Sequence, residues 1–301
     1  MRKIRVLIVD DAVVARRIVA ELLSADPELE VAGMAANGRI ALAKVAQLDP
    51  DLVTLDLEMP DMDGLETLAA LRKAHPHLPV VMLSRYTRRA AVATLDALAG
   101  GACDYVTLPE ASEGSAATVQ AIREQLIPKI KQQAARHVGD KPRPAPARSR
   151  PLSDNGLSAR PRIEVVAIGA STGGPNALGT VVPGFPSGWP VPTLIVQHMP
   201  PVFTRQLAER LSVKSHIPFR EATAGACLAP GEGWVAPGDY HLQVARDEAS
   251  VRLHVHQGPP EHSCRPSVDQ LFRSVAAAYG PAALAVILTG MGQDGLRGCE
   301  A

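Results

Sequence analysis

The sequence has no net charge, few cysteines and no apolar run of bilayer length, and each shortage removes a class of function. Its 31 Lys and Arg are balanced by 31 Asp and Glu, so the whole chain has no electrostatic footprint for nucleic acid or an anionic membrane surface. The four cysteines, Cys103, Cys227, Cys264 and Cys299, form no close pair. That spacing argues against a disulfide framework or a zinc knuckle and fits reduced thiols in a cytoplasmic protein. No stretch approaches the ~20 apolar residues of a membrane helix. No signal peptide is expected either, because Arg2, Lys3 and Arg5 run straight into a predicted strand ending at Asp10. Direct membrane insertion is not expected, and no internal repeat is evident.

What is present is a globular composition, 46% apolar and 21% charged over 301 residues, enough for two ordinary domains with cores. Between Pro128 and Arg162 the texture changes to KPRPAPARSRPLSDNGLSARPR, whose prolines and positive excess predict a solvated, semi-rigid tether. The expected organisation is therefore a first domain over 1–127, a linker over 128–162 and a second domain over 163–301. The linker's basic residues also allow docking to an acidic partner.

The first domain alternates strand and helix patterns five times, from RVLIVD through VVMLS to DYVTL, which predicts a parallel sheet with helices on both faces. Polar residues close its strands: Asp10 and Asp11 the first, Asp56 the third and Ser84 the fourth. Three converging carboxylates would raise one another's pKa unless a divalent cation neutralised them, and an all-oxygen set suits Mg²⁺. Taken singly, Asp11 reads as a helix cap and Asp56 as a turn residue.

The acidic pair, LVTLDLEMPDMDGLE around Asp56, the hydroxyl at Ser84 and Tyr105 in DYVTLP together resemble a response-regulator receiver domain. The resemblance implies a flavodoxin-like fold in which Asp56 accepts a phosphoryl group from a histidine kinase. It also implies that Mg²⁺ is held by the acidic pair Asp10 and Asp11, by Asp56 and by the carbonyl of Glu58, with Ser84 and Tyr105 as the switch. One position departs from the pattern: Leu108 precedes Pro109 where receivers carry a lysine. Without that ammonium, coupling of phosphorylation to the loops around Ser84 and Tyr105 is expected to be weak or lost.

In the second domain three apolar runs end in residues of three catalytic types: VVAIGAS at Ser171, TLIVQH at His198 and LAVILTGMGQD at Asp294. Short Val, Ile and Leu runs read as buried parallel strands, whose carboxyl ends gather ligand chemistry. GASTG fits G-x-S-x-G, so Ser171 can project from a strand-to-helix turn. Each residue has a plain structural reading as well, Ser171 as a helix cap and His198 as a hydrogen-bonded core residue; their shared placement is what argues for a hydrolase. The order Ser, His, Asp is not that of an α/β-hydrolase.

GASTGGP, QHMPPVFTRQLAERL, CRPSVDQLF and LTGMGQDG, in this order behind a receiver and a linker, resemble the catalytic domain of the chemotaxis protein-glutamate methylesterases, the CheB family. The resemblance implies two doubly wound α/β domains, the second a parallel-sheet esterase domain. It implies hydrolysis of glutamate methyl esters, and in many members deamidation of glutamines, on methyl-accepting chemoreceptors by Ser171, His198 and Asp294, for sensory adaptation. The amide of Met291 would bind the oxyanion, Thr172 would assist, and Arg205 and Arg265 would edge the cleft. A chemotaxis histidine kinase would be the phosphodonor, and the ester chemistry would need no cofactor. The family continues past the point where this chain stops, seven residues after Asp294, so a truncated domain with an exposed apolar edge, a loosened triad and low activity is expected.

Other readings compete. His254, His256, His262 and Cys264 could ligate zinc, but without matching carboxylates or a second cysteine they fit an exposed strand face better. A catalytically impaired two-component regulator acting as a binding module would bind receptors without releasing methanol. A nucleotide cradle at GASTGG is disfavoured, since it matches neither a dinucleotide fingerprint nor a P-loop.

Overall fold

A computed structural model describes residues 2–108, 116–139, 162–248 and 250–301. The chain divides into two units, Met1–Ser153 and Asp154–Ala301. In the first, β1 (Ile4–Val9), α1 (Val13–Ser24), β2 (Leu29–Ala35), α2 (Gly38–Leu48), β3 (Leu52–Asp56), α3 (Gly64–Ala74), β4 (Val80–Arg85), α4 (Arg88–Ala99) and β5 (Asp104–Leu108) alternate without exception. The strands form one parallel sheet in the order β2-β1-β3-β4-β5. Central strands can be continuously apolar because helices cover both faces: Val6 to Val9, Leu52, Val53 and Val80 to Met82 are all fully buried. Helix starts are fixed locally, α3 by a capping box in which Asp63 accepts from the Glu66 amide and Glu66 from the Asp63 amide.

The last helix corrects the expected boundary at 127. After α5 (Ala116–Ala121) and a π-turn (Ile122–Leu126) the chain continues as α6 (Ile127–Gly139), so the first twelve residues assigned to the linker are helical. Pro128 reads as a stop, since it gives no N–H and its ring crowds the carbonyl four residues back. The wider π-turn just before it accommodates that ring. Ile130 and Ala134 then extend the buried face begun by Ile122 and Leu126, and Lys129 reaches the buried Asp104 at 3.1 Å. The remaining linker residues, 140–161, lie outside the described residues.

The second unit holds β6 (Val165–Ala170), α7 (Gly174–Val181), β7 (Thr193–Gln197), α8 (Phe203–Lys214), β8 (Phe219–Glu221), β9 (Gly233–Val235), β10 (His241–Arg246), β11 (Val251–His256), α9 (Val268–Tyr279), β12 (Ala283–Ile287) and α10 (Leu296–Glu300). Five strands make a parallel sheet ordered β12-β6-β7-β9-β8, and β10 and β11 pair as an antiparallel hairpin. The core joins sheet, hairpin and α9 through Val165, Leu194, Trp234, Leu253, Leu271 and Phe272. The expected fold class, α/β with two parallel-sheet domains, is borne out. Strand β12 lies at the edge of its sheet, with Leu284 and Ile287 exposed.

Candidate functional site

Strand register builds both sites. In the first unit Val9 pairs with Leu55 across β1 and β3, so Asp10 and Asp56 leave neighbouring strand ends where the sheet order reverses, the usual place for a ligand in such folds. Carboxylate oxygens of Asp10, Asp11 and Asp56 lie within 4.8 Å of one another. Asp10 accepts from the Ala12 amide and Asp56 from the Leu57 amide, each at 2.8 Å. One amide each does not offset burial. Burial and the Asp10 charge push Asp56 up to about 7, and burial with the Asp11 charge raises Asp10. An oxygen-only cluster with two carboxyls held above their ordinary range fits a hard divalent cation. Glu58 is exposed and its side chain is outside this cluster; only its main-chain carbonyl was assigned to the metal.

Ser84 is buried and accepts from Thr94 Oγ1 at 2.7 Å, so its hydroxyl is engaged by α4. Tyr105 is buried, its ring 5.0 Å from Lys129 Nζ. Leu108 packs against the domain core, as an apolar side chain must, and leaves the carboxylates to another cation. Arg85, paired in register with Leu108, is one nearby cation: its charge partly offsets the burial that raises Asp56 and Asp10, as does that of Arg16 at Asp10. Sequence reading missed Arg85; the signal was a basic residue directly after the strand-end serine.

In the second unit Ala170 pairs with Gln197 across β6 and β7, so the next residues, Ser171 and His198, emerge side by side. The turn is tied down by its main chain. The Ser171 amide donates to the Thr289 carbonyl at 2.8 Å, and the Ser171 carbonyl accepts from Gly174 and from Gln197 Nε2. The N-cap of α7 is Gly173, in the left-handed region, with no side-chain cap, so the Ser171 hydroxyl is not spent on capping. Thr172 is buried, and its carbonyl accepts from Thr289 Oγ1 at 3.0 Å, joining the turn to the loop after β12. Gly290 is required there: a Cβ would lie 2.8 Å from Ser171 Cβ.

His198 Nε2 and Asp294 Oδ2 are 2.7 Å apart. Asp294 also accepts from Ser267 Oγ at 2.7 Å and from the amides of Val268 and Asp269 at 2.7 and 3.0 Å, at the N-terminus of α9. Far from being loosened, this carboxylate has four donors. Burial works to raise its pKa, but the bonds from His198, the two amides and Ser267 hold it at about 2. Burial likewise opposes a charged His198, yet the bond to Asp294 and the neighbouring Cys264 carry it up to about 9. Ser171, His198, Met291 and Asp294 line one cavity of ≈ 130 Å³. Met291 is half-exposed, and its amide donates to no group among the described residues.

Other expected residues lie elsewhere. Arg265 is bound to Asp239 at 2.9 Å through Nε and to the Gly258 carbonyl, so its guanidinium clamps a loop, and it is not among the residues lining the cavity beside Ser171. Arg205 pairs with Glu209 one turn along α8. His254 and His256 stack on β11, ring centroids 5.0 Å apart, and do not join His262 and Cys264 in a ligand cluster among the described residues. Cys264 sits beside His198 instead, Sγ 3.7 Å from Nδ1. That contact, and the Ser267 cap that holds Asp294, were not read from CRPSVDQLF; the Ser-x-x-Gln spacing was the available signal for the cap.

Fold and site together define a receiver-type domain followed by an α/β domain of hydrolase character. Residues 6–120 match the response regulator receiver domain family and residues 166–301 the CheB methylesterase family. The chain is 51% identical over 99% of its length to the protein-glutamate methylesterase/protein-glutamine glutaminase of Trichodesmium erythraeum, covering 86% of that protein. It is 50% identical over its full length to the protein of the same name from a Nocardioides species, covering 83% of it. A crystal structure of the Thermotoga maritima CheB methylesterase catalytic domain aligns at 40% identity with a TM-score of 0.45, over 46% of this chain and 73% of that one. The chain belongs to the CheB family of protein-glutamate methylesterases/protein-glutamine glutaminases. No helix among the described residues is long and apolar enough to cross a membrane.

Proposed function

We propose that this protein hydrolyses glutamate methyl esters, and deamidates glutamines, on methyl-accepting chemoreceptors through Ser171, His198 and Asp294, under control of its receiver. The observation that carries the reading is the 2.7 Å bond between His198 Nε2 and Asp294. It fixes the tautomer and leaves Nδ1 as the basic nitrogen on a ring emerging beside Ser171.

Ser171 Oγ attacks the side-chain carbonyl as its proton passes to His198 Nδ1, and Asp294 stabilises the imidazolium. The Met291 amide, which donates to no group among the described residues, would receive the oxyanion; one lost donor of this kind costs about 100-fold or more in rate. His198 returns the proton to the departing methanol or ammonia, then takes one from water, whose oxygen cleaves the acyl-serine and restores Ser171. His198 alone moves the proton in each half of the cycle, and Asp294 keeps the ring oriented and its cation stabilised.

In the receiver, Asp10, Asp11 and Asp56 would hold Mg²⁺ with the Glu58 carbonyl, and the ion would neutralise charge as Asp56 accepts a phosphoryl group from a chemotaxis histidine kinase. With these partners the protein would work in the cytoplasm. Methanol release from methylated receptor, measured with and without a small-molecule acyl phosphate, tests both halves. Release by the wild type but not by Ser171→Ala is expected. Equal release by the two would remove the serine mechanism, and none from the wild type would leave a receptor-binding regulator.

A further inference from the structure

Cys264 has no part in the reaction above, yet it faces the nitrogen on which that reaction turns. It lies half-buried in the loop between β11 and α9, Sγ 3.7 Å from His198 Nδ1. A tetrahedral ion holding a thiolate at about 2.3 Å and an imidazole nitrogen at about 2.1 Å separates the two ligand atoms by about 3.6 Å. The observed spacing is the bite of one such ion. The second requirement is met on the far side of the ring. A histidine that ligates a metal commonly donates its other N–H to a carboxylate, which fixes the tautomer and raises the basicity of the ligating nitrogen. His198 Nε2 is bound in this way to Asp294 at 2.7 Å. Ligand atoms of Cys264, His198 and Asp294 lie within 4.8 Å of one another, but Asp294 already has four donors and serves as the orienting group.

We propose that Cys264 Sγ and His198 Nδ1 form a site for a borderline-soft divalent cation such as zinc, and that the ion silences the esterase by occupying the nitrogen that takes the Ser171 proton. Binding displaces to solvent the thiol proton and, where the ring is charged, the proton on Nδ1. Two tetrahedral positions remain for water or a substrate oxygen. The inhibition rests on His198 being the base; the binding does not. Donor chemistry sorts the ions: thiolate and imidazole select zinc over magnesium, whereas the carboxylates of Asp10, Asp11 and Asp56 suit magnesium.

Cobalt(II) added to the metal-free full-length protein tests the site, because a thiolate ligand gives a charge-transfer absorption that the receiver's oxygen donors cannot. A band saturating at one equivalent and displaced by zinc is expected. It should vanish in Cys264→Ala and Cys264→Ser, with circular dichroism unchanged in at least the serine variant. Asp294→Asn should weaken affinity by about 10–100-fold, as loss of an orienting carboxylate does. Zinc should inhibit methanol release from the wild type, and Cys264→Ala should need at least about tenfold more of it. A band that persists in Cys264→Ala, or no band in the wild type, overturns the site. A band dependent on Cys264 and His198 in a protein that releases no methanol even without metal would keep the site and remove the hydrolase reading.

Discussion

Asp56 closes strand β3 and Asp294 lies in the loop after β12, both with carboxylates largely withdrawn from water, yet their pKa values are driven apart. Asp56 has one amide donor and a second carboxylate beside it, and is pushed up to about 7. Asp294 has two amides, a hydroxyl and an imidazole, and is held at about 2. Burial penalises both charges alike, so the difference lies in the donors supplied. An under-supplied carboxylate is one waiting for a cation or a phosphoryl group; a fully supplied one is a fixed anion that holds a partner in place.

The largest test removes the fixed anion's charge. Asp294→Asn should lower kcat by about 10⁴-fold through the wrong imidazole tautomer, and Ser171→Ala should lower methanol release at least as far. Asp294→Ala should also destabilise the domain by about 1–3 kcal/mol, because the Val268 and Asp269 amides lose their acceptor. A denaturant titration reads that difference, and an unchanged midpoint would mean that water replaces the carboxylate without cost.

Smaller but more specific is Gly290→Ala. The added methyl must displace Ser171, whose Cβ it would meet at 2.8 Å. A shift of about 1 Å in a reacting group costs about 100-fold, so kcat should fall while Tm changes little. Normal turnover would show that the loop yields and not the serine.

The pH profile comes next, in metal-free protein. His198 works as a base only when neutral, and its pKa is raised to about 9 by Asp294 and Cys264 against the pull of burial. Below that value the neutral fraction, and with it kcat/KM, should rise about tenfold per pH unit and level off near 9. Stability runs the other way. The raised histidine contributes stability that is complete below its unfolded value near 6.5 and is lost as pH rises through 9. The depressed Asp294 contributes stability that is present above its unfolded value of about 3.9 and lost as pH falls through 2. Activity levelling off at pH 6.5 would break the account of His198.

Much of this was legible in the sequence because parallel α/β folds write their topology in apolar runs and put polar residues at strand ends. The five strands of the first unit, the family and the grouping of Ser171, His198 and Asp294 at one rim could be read from short Val, Ile and Leu runs and the polar residues that close them. The features that could not be read depend on packing between distant segments. The helix through 139 is hidden by Pro128, because proline's local preference says stop while the buried face of Ile130 and Ala134 says continue. The clamp of Arg265 on Asp239 and the approach of Cys264 to His198 join residues far apart in the chain, which no local pattern encodes.

On the receiver side, Asp56→Asn should stabilise the first unit. A carboxyl whose folded pKa lies above its unfolded value costs stability as pH rises from about 4 through 7, so the gain should be absent at pH 4 and present at pH 8. A gain of about 1 kcal/mol corresponds to ~3–4 °C in Tm for a domain of this size. Millimolar magnesium should raise the wild-type Tm at pH 8 and leave Asp56→Asn less changed. Equal magnesium responses would place the ion elsewhere.

The smallest expected effect concerns the cation opposite Asp56. Receivers carry a lysine where this chain has Leu108, and that side chain packs against the core. Arg85, its register partner on β4, is exposed, and its charge reaches both Asp56 and Asp10. A guanidinium in water contributes no more than about 1 kcal/mol to such a contact. Arg85→Ala should therefore slow acquisition of the phosphoryl group from an acyl phosphate by no more than about fivefold, one such interaction being worth that factor. Leu108→Lys should restore stimulation of methanol release if the missing ammonium is what weakens coupling. The two substitutions separate charge from position: were Arg85 a full replacement, Leu108→Lys would add nothing to a protein already stimulated by phosphorylation, and Arg85→Ala alone would abolish the response.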